Sequence, residues 1–477
     1  MSQHTIKTPL KNITSDSRNV KSGSLFLAYP GDKADGRNYI AEAIRNGASA
    51  VIWDSENFEW NAKWDVENKP IKQLRLQAGT IASQFYGNPS EKLWMIGVTG
   101  TNGKTSISQW LSQCFNHLGN KTAVIGTLGN GLPNQLTPSM NTTPDAVLLQ
   151  EMLADYVKQD VKTVAMEVSS HGLHQGRVRG VNFDIAVLSN LTRDHLDYHG
   201  SFEDYADAKR GLFIGSDLKV AVLNCDDKFG REIEEELTNV GTPVLSYGID
   251  RGLVRATELH FENTHFVFYA VTPHGNAPVK ANLIGRFNVY NVLAVLATLL
   301  ASKVILEDAI EAISHIQSAS GRMQQLGGGN LPLVVVDYAH TPDALEKVLT
   351  TLKAQASAKL ICVFGCGGNR DVGKRELMGK VASEIADAVV VTSDNPRDEA
   401  PEKIIQDILT GMQSNFIIEE DRAKAISVGI FSAKPNDIVL IAGKGHEDYQ
   451  EIAGKKHHFS DVEQAQNVLN AYQAASL

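Results

Sequence analysis

The run Ile96-Gly97-Val98-Thr99-Gly100-Thr101-Asn102-Gly103-Lys104-Thr105-Ser106 is the stretch of this sequence best suited to chemistry. An apolar segment leads into it and a helical pattern, Ile107–Leu118, leads out. A glycine-rich turn in that setting aims backbone N–H groups and the positive end of a helix dipole at one point, which suits a polyphosphate. Lys104 then neutralises the β- and γ-phosphates. Thr105, with Ser106 as the neighbouring alternative, offers a hydroxyl to Mg²⁺. The strict phosphate-loop pattern wants glycine where this chain has Val98, so the match is partial. ATP is the expected nucleotide, and the loop alone leaves GTP open.

Glu167 ends the apolar run Thr163–Met166. A carboxylate at the carboxyl end of a parallel strand faces the crevice where ligands bind, and it can hold a metal there; the alternative is a solvent-facing strand end. Asp194-His195-Leu196-Asp197-Tyr198-His199 sets four ionisable groups in six positions, a density that is costly to bury without a partner ion or ligand; the alternative is a polar surface loop. Lys209, within the helical stretch Phe202–Leu212, reads from spacing alone as a solvated helix lysine.

Four later segments follow apolar runs in the same way. Asp337-Tyr338-Ala339-His340-Thr341-Pro342-Asp343 follows Leu333–Val336, and Gly365-Cys366-Gly367-Gly368-Asn369-Arg370 follows Lys359–Phe364. Asp394-Asn395-Pro396-Arg397 follows Ala388–Thr392, and Gly443-Lys444-Gly445-His446-Glu447 follows Asp437–Ile441. The strand ends of a doubly wound sheet share one crevice. Arg370, Arg397 and Glu447 are therefore expected to meet around a small zwitterion, the arginines on carboxylates and Glu447 on an ammonium.

The elements that must position these groups are legible in outline. From about residue 93, short β-branched runs alternate with helical patterns, which predicts α/β architecture with parallel sheets and crossover helices. The expected strands are Leu93–Val98, Thr122–Ile125, Thr163–Val168, Ile185–Ser189 and Val220–Asn224, then Leu333–Asp337, Lys359–Phe364, Ala388–Thr392 and Asp437–Ile441. The first 87 residues differ, with strands at Ser24–Tyr29 and Ala50–Trp53 around a helix at Ile40–Asn46, closed by the turn Gly87-Asn88-Pro89-Ser90. A second boundary is expected near Ser318–Gly321.

At 477 residues the chain has room for about three domains. Its composition, 43% hydrophobic and 21% charged, is that of a folded globular protein. A net charge of −10 provides no field for a nucleic-acid backbone, so no nucleic-acid partner is expected. Apolar runs such as Leu333–Val336 and Ile438–Ala442 are far too short to span a bilayer, and Met1–Leu10 lacks the pattern of a secretory signal. The expectation is a cytoplasmic protein whose four cysteines are buried thiols.

Taken in order, Gly100–Ser106, Glu167-Val168-Ser169-Ser170, Asp194–His199, Gly285–Asn291, Gly321-Arg322-Met323-Gln324, Asp337–Asp343, Asp394–Arg397 and Gly443–Glu447 resemble the motifs of the Mur ligases, the ATP-dependent amino-acid ligases of peptidoglycan synthesis. The resemblance spans nearly the whole chain, and its phosphate loop lacks the strict glycine in the same way. It implies an α/β fold in three domains. Residues 1–87 form a UDP-MurNAc-binding α/β domain, 88–318 a central P-loop ATPase with a mostly parallel sheet, and 319–477 a Rossmann-like domain that brings the amino acid. In the implied reaction the D-Glu γ-carboxylate of UDP-MurNAc-L-Ala-D-Glu attacks the γ-phosphate of ATP, and an amine then displaces phosphate from the acyl phosphate. Asp394-Asn395-Pro396-Arg397 resembles the form that takes meso-diaminopimelate, since lysine-adding members usually lack that arginine.

The resemblance also assigns residues. Lys104 serves the phosphates, along with Gly100, Thr101, Asn102, Gly103, Thr105 and Ser106. Thr105 and Glu167 match ligands of one Mg²⁺. His195 and Lys209 match the site of a second, the lysine being carbamylated so that it presents oxygens. Asn288, Asn291, Arg322 and Asp337 match contacts to adenine, ribose or phosphates. Asn141, Thr142, Thr143, Ser169, Gln175 and Arg177 match contacts to the UDP-MurNAc-dipeptide, with Ser17, Gly31, Asp32 and Lys33 on the nucleotide-sugar side. Arg370, Asp394, Asn395, Pro396, Arg397, Gly443 and Glu447 match the amino-acid site. Asn369 departs from an aspartate common in the family. The implied protein is a monomer with small-molecule substrates. Its rivals are the same ligation with L-lysine, a folylpolyglutamate-type synthetase, and a P-loop kinase or NTPase with a regulatory ligand domain.

Overall fold

Trp94–Thr99 carries no charged residue, and five of its six residues are buried, the pattern of a strand covered on both faces. In the computed structural model it is the middle of a parallel sheet. The structure describes residues 6–475 other than 33, 134, 140, 263, 414 and 415. They fall into two compact units, Met1–Tyr247 with Ala297–Lys303, and Gly248–Leu296 with Val304–Leu477.

The first unit opens with four parallel strands in sequential order, β1 (Asn12–Thr14), β2 (Ser24–Ala28), β3 (Ala48–Asp54) and β4 (Glu67–Ile71). Helices α1 (Ile40–Arg45) and α2 (Leu74–Phe85) accompany them. β2, α1 and β3 match the expected elements to within two residues. β4 was not expected: its sequence Glu-Asn-Lys-Pro-Ile is polar and half-exposed, and a proline is tolerated only because the strand is an edge.

Next come β5 (Trp94–Thr99), α3 (Lys104–His117), β6 (Thr122–Gly126), β7 (Gly129–Gly131), α4 (Ala146–Lys158), β8 (Thr163–Glu167) and α5 (Ser170–His174). They are followed by β9 (Ile185–Leu188), α6 (Leu196–His199), α7 (Phe202–Arg210), β10 (Val220–Asn224), α8 (Lys228–Val240) and β11 (Val244–Gly248). The strands lie in the order β11-β10-β9-β5-β8-β6-β7, parallel except for β7. All five strands expected here form. Because β5 lies between β9 and β8, its carboxyl end opens between theirs. The core beneath is apolar, with Met95, Ile125, Val164, Met166, Leu188 and Leu223 each under 1% exposed.

The second unit contains a feature the alternation does not announce, an antiparallel meander of β12 (Val254–Phe261), β13 (Phe266–Thr272) and β14 (Gly275–Ala281). β12 is mostly exposed and its register shifts between Thr257 and His260, which blurs the two-residue period. α9 (Arg286–Ala301) and α10 (Leu306–Ser314) follow.

The remaining elements are β15 (Gln324–Gly327), β16 (Leu333–Asp337), α11 (Pro342–Gln355), β17 (Leu360–Phe364), α12 (Gly373–Ile385), β18 (Ala388–Val391), α13 (Pro401–Leu409) and β19 (Phe416–Ile418). After them come α14 (Arg422–Phe431), β20 (Ile438–Ala442), β21 (Tyr449–Ile452), β22 (Lys455–His458) and α15 (Asp461–Ala475). The sheet order is β15-β16-β20-β17-β18-β19, with only β15 antiparallel, while β21 and β22 pair as a separate hairpin. β20, β17 and β18 are adjacent and parallel, so the three loops leaving them stand side by side. Among the described residues no helix is long and apolar enough to cross a membrane, and all four cysteines are buried and free.

Candidate active site

The loop after β5 is held to its neighbour β9. Thr101 donates its backbone N–H to the Asn190 carbonyl at 2.8 Å, and Asn102 donates its own to Asn190 Oδ1 at 3.0 Å. Ser189 Oγ donates to the Asn102 carbonyl at 2.5 Å. Gly100 has φ +141°, and a methyl group there would lie 1.9 Å from Ser189 Oγ, so only glycine lets the loop close on β9. Gly103, at φ +88°, starts α3 with no side-chain cap. The first-turn N–H groups of a long helix therefore face outward, as anion binding requires. Lys104 Nζ donates to the carbonyls of Gly100 and Thr101, both at 2.9 Å, which keeps the ammonium over the turn. Thr105 and Ser106 are buried at the same end of α3.

Glu167 is 1% exposed at the end of β8. Its carboxylate accepts from Thr105 Oγ1 at 2.9 Å, from the Thr127 N–H at 2.8 Å and from Thr127 Oγ1 at 3.1 Å. No salt bridge to it forms among the described residues. A buried carboxylate ringed by hydroxyls and lacking a cation is a set of hard oxygen donors suited to a divalent ion such as Mg²⁺. Gly126 makes the room, since a methyl group there would lie 2.1 Å from Glu167 Oε1. Thr105 and Glu167, the two residues matched to one Mg²⁺, are in direct contact. Thr127, a third oxygen donor, went unnoticed in the sequence because a threonine after a strand carries no signal of its own.

Lys209 contradicts the reading from spacing. It is 1% exposed, on the buried face of α7 with Tyr205 and Ala206. Its Nζ donates to the Gly100 carbonyl at 2.8 Å and lies 4.7 Å from the Tyr205 ring centre. Burial, with Lys104 nearby, holds its pKa well below the ordinary lysine value. The one-turn spacing of Tyr205 and Lys209 was the available signal.

Asp194, His195 and Asp197 are exposed, so the density of charge after β9 is kept at the surface and not buried. His195 adopts φ +52° and its ring packs edge-on against His171, with centres 4.8 Å apart. Burial and the neighbouring His195 and His199 push His171 down to about 4, so it is neutral near pH 7.

The residues matched to the UDP-MurNAc-dipeptide form a connected set. Arg75 pairs with Asp32 at 2.6 Å. Gln175 Nε2 donates to Asp32 Oδ2 at 2.6 Å, Arg177 Nε to Gln175 Oε1 at 2.8 Å, and Arg177 Nη1 to the Thr143 carbonyl at 2.7 Å. Thr143 Oγ1 donates to the Glu167 backbone carbonyl at 3.0 Å and lies 3.0 Å from Ser169 Oγ, which ties this set to the end of β8. Thr142 Oγ1 is 3.1 Å from Thr127 Oγ1, and Asn141 lies exposed just before it. Ser17 and Gly31 line a cavity of about 510 Å³ with Ser15, Tyr29 and Asp145. Lys33 lies outside the described residues.

In the second unit the three adjacent loops touch one another. A methyl group on Gly367 would lie 3.0 Å from Arg397 Nη1 and 3.8 Å from Arg370 Cγ, so both arginines flank that glycine. Arg370 is exposed. Asn395 Nδ2 donates to Glu447 Oε2 at 2.8 Å. Gly443, at φ +120°, passes so close to Asp394 that a methyl group would lie 2.8 Å from its Oδ2. Lys444 lay within the motif without a role. It is fully buried, and its Nζ reaches Asn395 Oδ1 at 3.0 Å, Glu447 Oε2 at 3.1 Å and Asp394 Oδ1 at 3.5 Å. It neutralises carboxylates that would otherwise repel one another.

The residues matched to the nucleoside lie largely within the second unit. Asn291 Nδ2 donates to Asn288 Oδ1 at 3.0 Å, and both are buried. Arg322 stacks over Tyr338 at 4.9 Å. Asp337 accepts the N–H groups of Met323 and Ala339, both at 2.8 Å, and burial raises its pKa.

Three family models match the chain, each described as a Mur ligase domain: "Mur ligase family, catalytic domain" at residues 9–86, "Mur ligase middle domain" at 98–299, and "Mur ligase, glutamate ligase domain" at 321–445. The UDP-N-acetylmuramoyl-L-alanyl-D-glutamate–2,6-diaminopimelate ligase of Chromobacterium violaceum is 50% identical over 468 residues, covering 97% of this chain and 95% of that protein. The enzyme of the same name from Neisseria meningitidis serogroup A is 50% identical, covering 94% and 92%. A solved structure of a protein of that name superposes with a TM-score of 0.77 at 38% identity, covering 99% of this chain and 98% of that one.

Proposed function

The chain belongs to the Mur ligase family, and within it we propose that this protein joins meso-diaminopimelate to the D-Glu γ-carboxylate of UDP-MurNAc-L-Ala-D-Glu at the expense of ATP. The observation that carries the proposal is the pairing, within one chain, of two sets of groups. The first is a phosphate loop beside a buried carboxylate that forms no salt bridge among the described residues; the second is the set of adjacent loops carrying Arg370, Arg397, Asp394 and Glu447, charges of both signs suited to a zwitterion. A kinase or switch NTPase has no use for the second set. A lysine-adding ligase has less use for Arg397, because lysine lacks the distal carboxylate that an arginine recognises.

The chemistry must overcome the mutual repulsion of a carboxylate and a triphosphate. Lys104 and the uncapped amino end of α3 supply fixed positive charge at the phosphate loop. Thr105 and Glu167 would hold Mg²⁺, which when bound adds charge neutralisation at the phosphates. His195 and Lys209 are proposed for a second Mg²⁺. The depressed pKa of Lys209 supports its carbamylation, because a neutral amine is what attacks CO₂. The γ-carboxylate attacks the γ-phosphorus and ADP leaves; the amine then attacks the acyl carbon and phosphate leaves. Asp32, Thr143, Ser169, Gln175 and Arg177 are proposed to orient the dipeptide arm, with the cavity at Ser17 and Gly31 taking the nucleotide sugar.

The proposal includes domain boundaries at 87/88 and 318/319. It also includes a cytoplasmic location, supported by four free thiols and by the supply of ATP there. Incubation with ATP, Mg²⁺, UDP-MurNAc-L-Ala-D-Glu and meso-diaminopimelate should yield the UDP-MurNAc-tripeptide, seen by mass spectrometry, with one ADP per product. ADP formation without the tripeptide would refute it.

A further inference from the structure

Arg397 is held in place by a residue outside every motif, and we propose that Glu451 on β21 is a positioning residue that sets which edge of the Arg397 guanidinium meets the amino acid. Arg397 Nε donates to Glu451 Oε2 at 3.1 Å, and Arg397 Nη1 donates to the Gly368 carbonyl at 2.8 Å. Among the described residues Nη2 makes no hydrogen bond, which leaves it as the open end of the fork.

The backbone makes the same attachment. Arg397 N–H donates to the Glu451 carbonyl at 3.0 Å, and Ala453 N–H donates to the Arg397 carbonyl at 2.7 Å. Glu451 N–H donates to Asn395 Oδ1 at 2.9 Å. Arg397 sits at φ +54°, a conformation a side-chain-bearing residue keeps only where its surroundings impose it. The hairpin of β21 and β22 is therefore a clamp on the turn Asp394–Arg397, with Glu451 as its side-chain contact. Both partners are about a fifth to a quarter exposed, at 19% and 26%, so the pair borders the site without being sealed from a ligand.

Two roles for Glu451 predict opposite results. If it positions Arg397, the contact needs an acceptor oxygen, which glutamine retains and alanine does not. If it only lowers the positive charge of the site, both neutral variants should bind a carboxylate more tightly. The inference rests on the amino-acid assignment above, so the test includes a readout that needs no substrate.

In Glu451→Ala the KM for meso-diaminopimelate should rise about tenfold, as expected when a charge-assisted contact is loosened, while the KM for ATP and kcat stay within about twofold. Glu451→Gln should remain within about threefold of the unaltered enzyme. The Arg397 Nε–H resonance, assigned by its loss in Arg397→Lys, should shift and broaden in Glu451→Ala and persist in Glu451→Gln. Equal KM changes in the two variants, or a rise in KM for ATP as large as that for the amino acid, would overturn the proposal. So would an Arg397 resonance unaffected by alanine. An unaltered enzyme that ignores diaminopimelate would instead refute the functional assignment and leave the resonance test standing.

Discussion

A hydrogen atom in place of a methyl group at residue 126 decides where the carboxylate of Glu167 lies. Gly126 has an ordinary backbone conformation, so alanine is tolerated by the chain itself, yet its Cβ would sit 2.1 Å from Oε1 and 2.7 Å from Cδ. The carboxylate would have to swing away from Thr105 and Thr127. Gly126→Ala should therefore raise the Mg²⁺ concentration for half-maximal activity about tenfold to a hundredfold with little change in melting temperature. A Mg²⁺ titration checks this; an unchanged curve would remove Glu167 from the metal site. Such dependence was not legible in the sequence, because a glycine after a strand is ordinary and the group it spares lies 41 positions later. Lys104 was legible, since strand, glycine turn and helix surround it. Lys209 was not, because a lone lysine is solvated by default and only its one-turn spacing from Tyr205 hints at burial.

Among the elements, the loops after β17 and β18 are fastened by α12. Arg375, fully buried, donates Nη2 to Glu399 Oε1 and Nη1 to Glu399 Oε2, both at 2.9 Å, and pairs with Asp407 at 2.8 Å. Glu399 also accepts the Asn369 N–H, and Asn369 Nδ2 donates to Asp398 Oδ2 at 3.1 Å. An aspartate at 369 would face Asp398 as a like charge. The Arg375 hydrogen bonds lower Glu399 from 4.5 to about 2. Because the folded value lies below the unfolded one, the stabilisation is complete above about 4.5 and is lost as pH falls through about 2. Glu399→Gln should lower the urea midpoint at pH 6 and shrink the drop between pH 6 and pH 3; an identical drop would mean that Glu399 does not contribute. Periodicity revealed most of the buried parallel strands, which are continuous apolar runs, but not β11, whose Val-Leu-Ser-Tyr-Gly is buried and parallel yet broken by a serine and a glycine. It also missed β4, which is polar and half-exposed, and β12, which is mostly exposed and irregular in register.

At the scale of the whole molecule, the chemistry is divided. The first unit carries the phosphate loop, Glu167, Lys209 and the residues proposed to orient the dipeptide; the second carries the arginines and Glu447. Neither set alone accounts for a ligase, because the first is sufficient for phosphate transfer and the second only for binding. If both serve one reaction, ATP cleavage must depend on the acceptor and on the amino acid together. Phosphate release from ATP and Mg²⁺, measured with UDP-MurNAc-L-Ala-D-Glu and with meso-diaminopimelate, L-lysine or no amino acid, tests that dependence directly. Sustained release is predicted only with the nucleotide dipeptide and diaminopimelate together. Release indifferent to either would contradict the ligase reading, and a preference for lysine would contradict the role given to Arg397.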